Sequence, residues 1–216
     1  MMMTKAEAII FDLDGTMWDA LEAIRLTWNQ VVANHSECRK EPISAQELSG
    51  CLGLPMTEIA AKLFPKTTPE QQQALMDECC ELENAYLREH GAILYPGLEE
   101  TLLALKREYK LLIVSNCQRG YIESFIEAHK LSACFDDIEC WGNNRLSKGE
   151  NNRLIMERNH VTKAVYVGDT AGDEASAREA GIPFVFAAYG FGQAVAPDYT
   201  IRAFTELPRL MAEVLL

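Results

Sequence analysis

Two aspartates one residue apart, Asp12 and Asp14 in Phe11-Asp12-Leu13-Asp14-Gly15-Thr16, are the first residues of this 216-residue chain whose types and spacing suit chemistry. Farther along lie Ser115-Asn116, then Lys148 in Leu146-Ser147-Lys148-Gly149-Glu150, then Asp169 and Asp173 in Gly168-Asp169-Thr170-Ala171-Gly172-Asp173. A single aspartate after a strand is commonly a helix cap or a turn former. Four carboxylates gathered at one edge would repel each other in a half-buried cleft. A hard divalent cation relieves that repulsion. Magnesium takes oxygen ligands, usually one or two carboxylates with waters and substrate phosphate. Four aspartates with a lysine therefore read as a cation and phosphate site.

The elements that must bring these residues together are legible in the hydrophobic pattern. Ala8-Ile9-Ile10-Phe11, Leu111-Leu112-Ile113-Val114, Ala164-Val165-Tyr166-Val167 and Pro183-Phe184-Val185-Phe186-Ala187 are short apolar runs that predict buried strands, and Asp137 to Cys140 is a weaker strand candidate. Helical patterns separate them: Leu98, Leu102 and Leu105; Ile122, Phe125, Ile126 and His129; residues 149–159; an alanine-rich stretch closed by Gly181; and Leu207, Leu210, Met211, Val214 and Leu215. Apolar strands alternating with helices predict a parallel sheet covered on both faces. Ligands of such sheets sit beyond the carboxyl ends of the strands, and three strands here end in Asp12 and Asp14, in Ser115 and Asn116, and in Asp169 and Asp173.

Residues 17–90 read as all-helical. Asp19 and Glu22 form a capping-box-like pair ahead of Leu21, Ile24, Trp28, Val31 and Val32. Pro42, Gly50, Gly53 and Pro55 break residues 38–57 into short helices and loops. Thr68-Pro69-Glu70-Gln71 is a helix start, followed by an apolar stripe of Leu75, Cys79, Leu82 and Tyr86. Glu78, Glu81 and Glu83 read as a solvated face of that helix. The block enters the chain directly after the first aspartate pair, where it would cover the site as a lid.

Composition narrows the function classes. Hydrophobic residues make up 48% and charged residues 24%, enough apolar surface for one core carrying a smaller second unit. A net charge of -12 argues against nucleic-acid binding, which needs a basic surface. It allows a small phosphorylated metabolite, because a metal and a few cations can reverse the local field. Seven cysteines without a Cys-x-x-Cys pair argue against a disulfide framework and against a thiolate zinc site. The start, Met1 to Glu7, does not read as a signal peptide, since Glu7 and Asp12 interrupt any apolar run, and no apolar run reaches the roughly 18 residues of a membrane span. The expected home is a reducing cytoplasm, with no membrane partner, as a monomer or homodimer. His35, His90, His129 and His160 lack ligand spacing and read as structural, and Trp18 and Trp28 read as packing residues.

Together the four segments resemble the ordered motifs of the haloacid dehalogenase superfamily, and the resemblance spans essentially the whole chain, helical insert included. Phe11-Asp12-Leu13-Asp14-Gly15-Thr16 is similar to the first motif, Ser115-Asn116 to the second, Lys148 to the third and Gly168 to Asp173 to the fourth, with Ala177-Arg178-Glu179-Ala180-Gly181 following. The resemblance implies an α/β, Rossmannoid core of parallel sheet with helices on both faces (residues 1–16 and 92–216), plus an inserted α-helical cap (residues 17–91). It implies catalysis by Asp12 as nucleophile, forming an aspartyl phosphate, and by Asp14 as proton donor and then acceptor. It implies phosphate binding by Ser115, Asn116 and Lys148, with backbone amides helping after Asp12 and at Asn116. For magnesium it implies Asp12, Asp169, the Asp14 backbone carbonyl, and Asp173 through a bound water. Gly149 stands where relatives often have proline, so a looser loop is expected there. Cys117, after Ser115-Asn116, is expected to pack.

Gly53-Leu54-Pro55-Met56-Thr57 resembles the lid loop of phosphoglycolate phosphatase-like members. The implied function is hydrolysis of a small, phosphoglycolate-like phosphomonoester. Lys62, Arg88 and Arg119 are basic residues that could meet a carboxylate. Asp14 argues against dehalogenation, which has no leaving alcohol to protonate. A phosphomutase of the beta-phosphoglucomutase type and an inactive binding or regulatory member of the fold stay open.

Overall fold

The computed structural model of the chain describes residues 6–214; Met1 to Lys5 and Leu215, which the sequence reading includes in the chain start and the final helix, lie outside them. Ala8–Phe11 forms β1 with all four side chains buried. After the aspartate loop come β2 (Trp18–Asp19) and four helices: α1 (Leu21–Asn34), α2 (Ala45–Ser49), α3 (Met56–Leu63) and α4 (Pro69–His90). The chain then returns through β3 (Ile93–Leu94). The remainder alternates: α5 (Leu98–Leu105), β4 (Lys110–Ser115), α6 (Tyr121–Ala128), β5 (Asp137–Cys140), α7 (Trp141–Asn144), α8 (Lys148–Arg158), β6 (Ala164–Gly168), α9 (Ala171–Ala180), β7 (Phe184–Ala187), β8 (Tyr199–Ile201), a 3-10 turn and α10 (Leu207–Val214).

Six strands form one parallel sheet in the order β5-β4-β1-β6-β7-β8. β1 lies between β4 and β6, where the winding reverses, and a parallel sheet opens a crevice at that point. Side-chain alternation divides the core between the faces. Ile9, Phe11, Ile113 and Val167 pack on one face with Leu102, Phe125 and Leu207. Ile10, Leu112, Val114 and Tyr166 pack on the other with Ile155 and Ala177.

The inserted helices join the core through a two-stranded antiparallel ribbon, Trp18 opposite Leu94 and Asp19 opposite Ile93. No pattern in the sequence exposed this ribbon, since two residues per strand are too few to show a period. It also removes the capping box expected of Asp19 and Glu22. Asp19 is held in the ribbon, α1 starts after Ala20 with no side-chain cap, and Glu22 pairs with Arg25 instead. Asp19 still accepts the Leu21 amide at 3.0 Å. The box at Thr68 and Gln71 forms as the residue types dictate.

α4 is rotated from its sequence reading. Its buried positions are Leu75, Met76, Cys79, Glu83 and Leu87, while Leu82 and Tyr86 are only half-buried. Glu78 and Glu81 are exposed, as a solvated face requires, but Glu83 is 2% exposed. Leu75, Cys79, Glu83 and Leu87 recur every four residues, so the apolar stripe runs through a carboxyl group. α1 packs against this face, where Trp28 Nε1 donates to Glu83 Oε2.

Candidate active site

The register carries the strand-end residues to one place. Phe11 pairs with Ile113 on one side and Val167 on the other, so Asp12, Ser115 and Asp169 emerge at the same edge. The Asp12 amide donates to the Val167 carbonyl at 2.8 Å, which carries sheet geometry as far as the carboxylate itself. Carboxylate oxygens of Asp12, Asp169 and Asp173 lie within 4.8 Å of one another, all buried. Lys148 Nζ sits between two of them, 2.8 Å from Asp12 Oδ1 and 2.7 Å from Asp173 Oδ1.

Each member is fixed by its own element. Lys148 opens α8, behind a capping box of Ser147 and Glu150. Gly149 is therefore part of an ordered first turn, not a looser loop. A Cβ there would stand 2.3 Å from Glu179 Oε2, so close packing of α8 on α9 accounts for the glycine. Asp173 Oδ2 accepts from Thr170 Oγ1 at 2.6 Å and from the Thr170 amide at 3.0 Å, while Thr170 caps α9 in return. Asp169 Oδ2 accepts the amides of Phe191 at 2.7 Å and Gly192 at 3.2 Å. That loop after β7 had no signal in the sequence beyond its glycines. Gly15 takes a left-handed φ of +77°, and a Cβ there would meet Asp169 Oδ2 at 2.2 Å.

The electrostatics are those of a site short of positive charge. Burial pushes the Asp12 carboxyl well above its usual range, with Lys148 opposing and the other two aspartates reinforcing the shift. Burial likewise raises Asp169 to about 7, with Asp173 adding to the effect. Burial alone would lower Lys148, but Asp12 and Asp173 hold its ammonium well above the ordinary value. Ionised together, the three carboxylates exceed the one ammonium by two charges. Asp169 Oδ1 is buried with no hydrogen-bond partner. A lone carboxylate oxygen aimed into an oxygen-rich, negatively charged cluster suits a hard divalent cation.

Asp14 stands apart. Its carboxyl is outside the cluster, with Oδ1 accepting from Trp18 Nε1 at 2.9 Å and Tyr121 OH at 2.7 Å. The side chain is thus no part of the cation cluster, and only its backbone carbonyl is left for that role. Burial raises it to about 6, with the two hydrogen bonds opposing. Trp18 and Tyr121 are functional neighbours that the sequence did not reveal. Trp18 looks like an ordinary packing residue, and Tyr121 is brought in from 107 positions away.

Ser115 is buried and lines the cavity next to Asp12 and Asp14. Asn116 lines it too, but its Nδ2 donates to the Gly53 carbonyl at 2.9 Å, tying the inserted helices to the core. Cys117 is buried, as expected of a packing residue. Thr16 Oγ1 finds no partner, so the local turn bond open to it does not form. Lys62, Arg88 and Arg119 do not line the cavity; they bond the Gly50 carbonyl, Glu127 and Asn143 respectively. No helix of the described residues is long and apolar enough to cross a membrane.

Comparison with known proteins bears on the family and the fold. The model of the haloacid dehalogenase-like hydrolase family matches residues 9–187. A phosphoglycolate phosphatase of Synechococcus elongatus is 26% identical over 217 residues, covering 97% of this chain and 99% of its own. A phosphoglycolate phosphatase of Rhodobacter capsulatus is 26% identical over 192 residues, covering 86% of each chain. A haloacid dehalogenase-like family hydrolase of Streptococcus pneumoniae shares the fold, with a TM-score of 0.81 at 21% identity over 94% of this chain and 97% of that one.

Proposed function

Because the chain belongs to the haloacid dehalogenase-like hydrolases, we propose that it is a magnesium-dependent phosphatase of small phosphorylated metabolites, acting through an aspartyl phosphate on Asp12. The observation that carries this reading is Asp12 at the end of the central strand, bonded to Lys148 and facing an orphaned Asp169 oxygen. The phosphoglycolate phosphatases among its relatives support the reaction class and make a phosphoglycolate-like ester a candidate substrate.

Asp12 and Asp169 would hold the magnesium ion with the Asp14 backbone carbonyl, and Asp173 would support them from behind Lys148. When bound, the ion supplies charge neutralisation that lets an anionic nucleophile meet an anionic phosphoryl group. Lys148 and the Ser115 hydroxyl bind phosphoryl oxygens, with the backbone amides after Asp12 and at Asn116. An Asp12 oxygen bonds to phosphorus as the bond from phosphorus to the leaving oxygen breaks. Asp14 gives its proton to the departing alcohol, then takes one from the water that attacks the aspartyl phosphate, releasing phosphate and restoring Asp12. Both hydrogen bonds to Asp14 fall on one oxygen, which fixes the carboxyl while its other oxygen handles the proton. Residues 17–91 act as the cap on a core of residues 1–16 and 92–216.

Seven free thiols support a reducing, cytoplasmic setting, and a charge of -12 supports small-molecule over nucleic-acid partners. A panel of phosphomonoesters scored by released phosphate tests the function. Magnesium-dependent release, stopped by a chelator and restored by magnesium, is the expected result. Interconversion of sugar phosphates faster than phosphate release would replace it with the mutase reading.

A further inference from the structure

The cavity over Asp12 and Asp14 is small, about 40 Å³. Its floor is the core: the two aspartates with Ser115, Asn116, Cys117 and Gln118. Its roof is the cap, and the roof is apolar, with Ile24, Leu48, Leu54 and Ile59 among its residues. The exception is Glu83, a residue only 2% exposed. Trp28, also on the wall, donates to it, and Gln118 hydrogen-bonds to it from the core side. Both partners are neutral. Among the described residues lining the cavity there is no lysine, arginine or histidine.

A buried glutamate with neutral partners in an apolar wall is costly unless it meets a further group. The cost is not one that packing α4 on α1 requires, because a leucine at position 83 would continue the stripe of Leu75, Cys79 and Leu87. Lys148, bonded to Asp12 and Asp173, does not line this cavity and would serve the phosphoryl group. The part of the cavity left for the leaving alcohol therefore has one carboxyl group besides the catalytic pair, that of Glu83, and no cation. A leaving group bearing a carboxylate would lose its water there and meet no cation in return. A leaving group bearing a hydroxyl or ammonium would have Glu83 on the cavity wall as an acceptor.

We infer that Glu83 is a specificity-determining residue that selects phosphomonoesters whose leaving alcohol carries a hydrogen-bond donor and no second anionic group. This inference rests on the phosphatase reading above, but it points away from phosphoglycolate as the preferred substrate. A buried charged or polar acceptor of this kind discriminates against a partner lacking the matching donor by about tenfold to a hundredfold.

The experiment measures kcat/KM with magnesium for four esters: glycerol phosphate for a hydroxyl donor, O-phosphoethanolamine for an ammonium donor, phosphoglycolate for a carboxylate, and p-nitrophenyl phosphate as a leaving group without a donor. At least one donor-bearing ester should exceed phosphoglycolate by about tenfold or more. Which of the two leads identifies the donor. In Glu83→Gln and, separately, Glu83→Ala, the ratio of the better donor ester to p-nitrophenyl phosphate should fall by about tenfold or more, mainly through KM. A ratio does not depend on the fraction of enzyme that folds. Hydrolysis of the aryl ester together with a preference for phosphoglycolate, or ratios unchanged in both variants, overturns the assignment of Glu83 and leaves the phosphatase reading standing. Failure to hydrolyse any of the four esters overturns both.

Discussion

The two aspartates of the first motif differ because their surroundings differ. Asp12 shares a buried cluster with two carboxylates and an ammonium. Asp14, two residues on, bonds only uncharged donors, Trp18 and Tyr121. A carboxyl group fixed by neutral partners keeps its proton available, as a donor to a leaving alcohol requires. Asp14→Asn preserves the shape and both hydrogen bonds but removes the proton. Its kcat on an alkyl phosphate should fall by about a hundredfold to ten-thousandfold. A smaller loss is expected on an aryl phosphate, whose leaving group needs no proton. Equal losses on the two esters would show that Asp14 acts through position alone. Asp12, Asp14 and Asp169 were legible in the sequence because they follow apolar runs, and Lys148 through its resemblance to the third motif. Their partners were not. Tyr121, Phe191 and Gly192 reach the site through chain folding, and no local pattern marks an amide that will donate to a distant carboxylate.

At the scale of elements, the sheet was legible and the cap was less so. Strands such as Ala8–Phe11 are continuous apolar runs because both faces are covered. α4 misled because its stripe includes Glu83, so the neighbouring Leu82 and Tyr86 seemed to supply the apolar face. The consequence is measurable as pH dependence of stability. Burial raises Glu83 to about 8, opposed by hydrogen bonds from Trp28 and Gln118 and reinforced by Asp14. Cys79 and Cys80 on its own helix and Tyr121 on α6 complete its titratable neighbours. Below the ordinary glutamate range, both folded and unfolded chains hold the proton, and Glu83 is neutral in effect. As pH rises toward 8 the unfolded chain releases a proton that the folded chain keeps, so the folded state loses ground, and above 8 the loss is complete. Glu83→Gln escapes this loss and can still accept from Trp28. The Tm of the variant minus that of the wild type should be more positive at pH 9 than at pH 5. A difference that stays flat between those values would show that Glu83 titrates like an exposed residue.

At the scale of the whole molecule, sheet, cap and site form one device. The winding of the sheet reverses beside β1, the cap enters directly after the β1 loop, and Asn116 at the end of β4 binds the cap through the Gly53 carbonyl. The inserted helices thus touch the core next to Ser115 and the aspartate cluster. A cation that neutralises the aspartate cluster should stabilise the entire fold. At a hundredfold excess over its dissociation constant, magnesium should add about 3 kcal/mol, or roughly 5–10 °C in Tm, and a chelator should reverse it. Asp169→Asn should abolish the magnesium shift yet raise the metal-free Tm, since it removes an orphaned charge from the cluster. A magnesium shift that survives in this variant would place the cation elsewhere. The most direct test of the account is the activity of Asp12→Asn, measured as phosphate released from p-nitrophenyl phosphate with saturating magnesium, on protein shown by its Tm to be folded. The account predicts turnover at background. Turnover near that of the wild type would contradict it, because a group other than Asp12 would then be carrying the phosphoryl group.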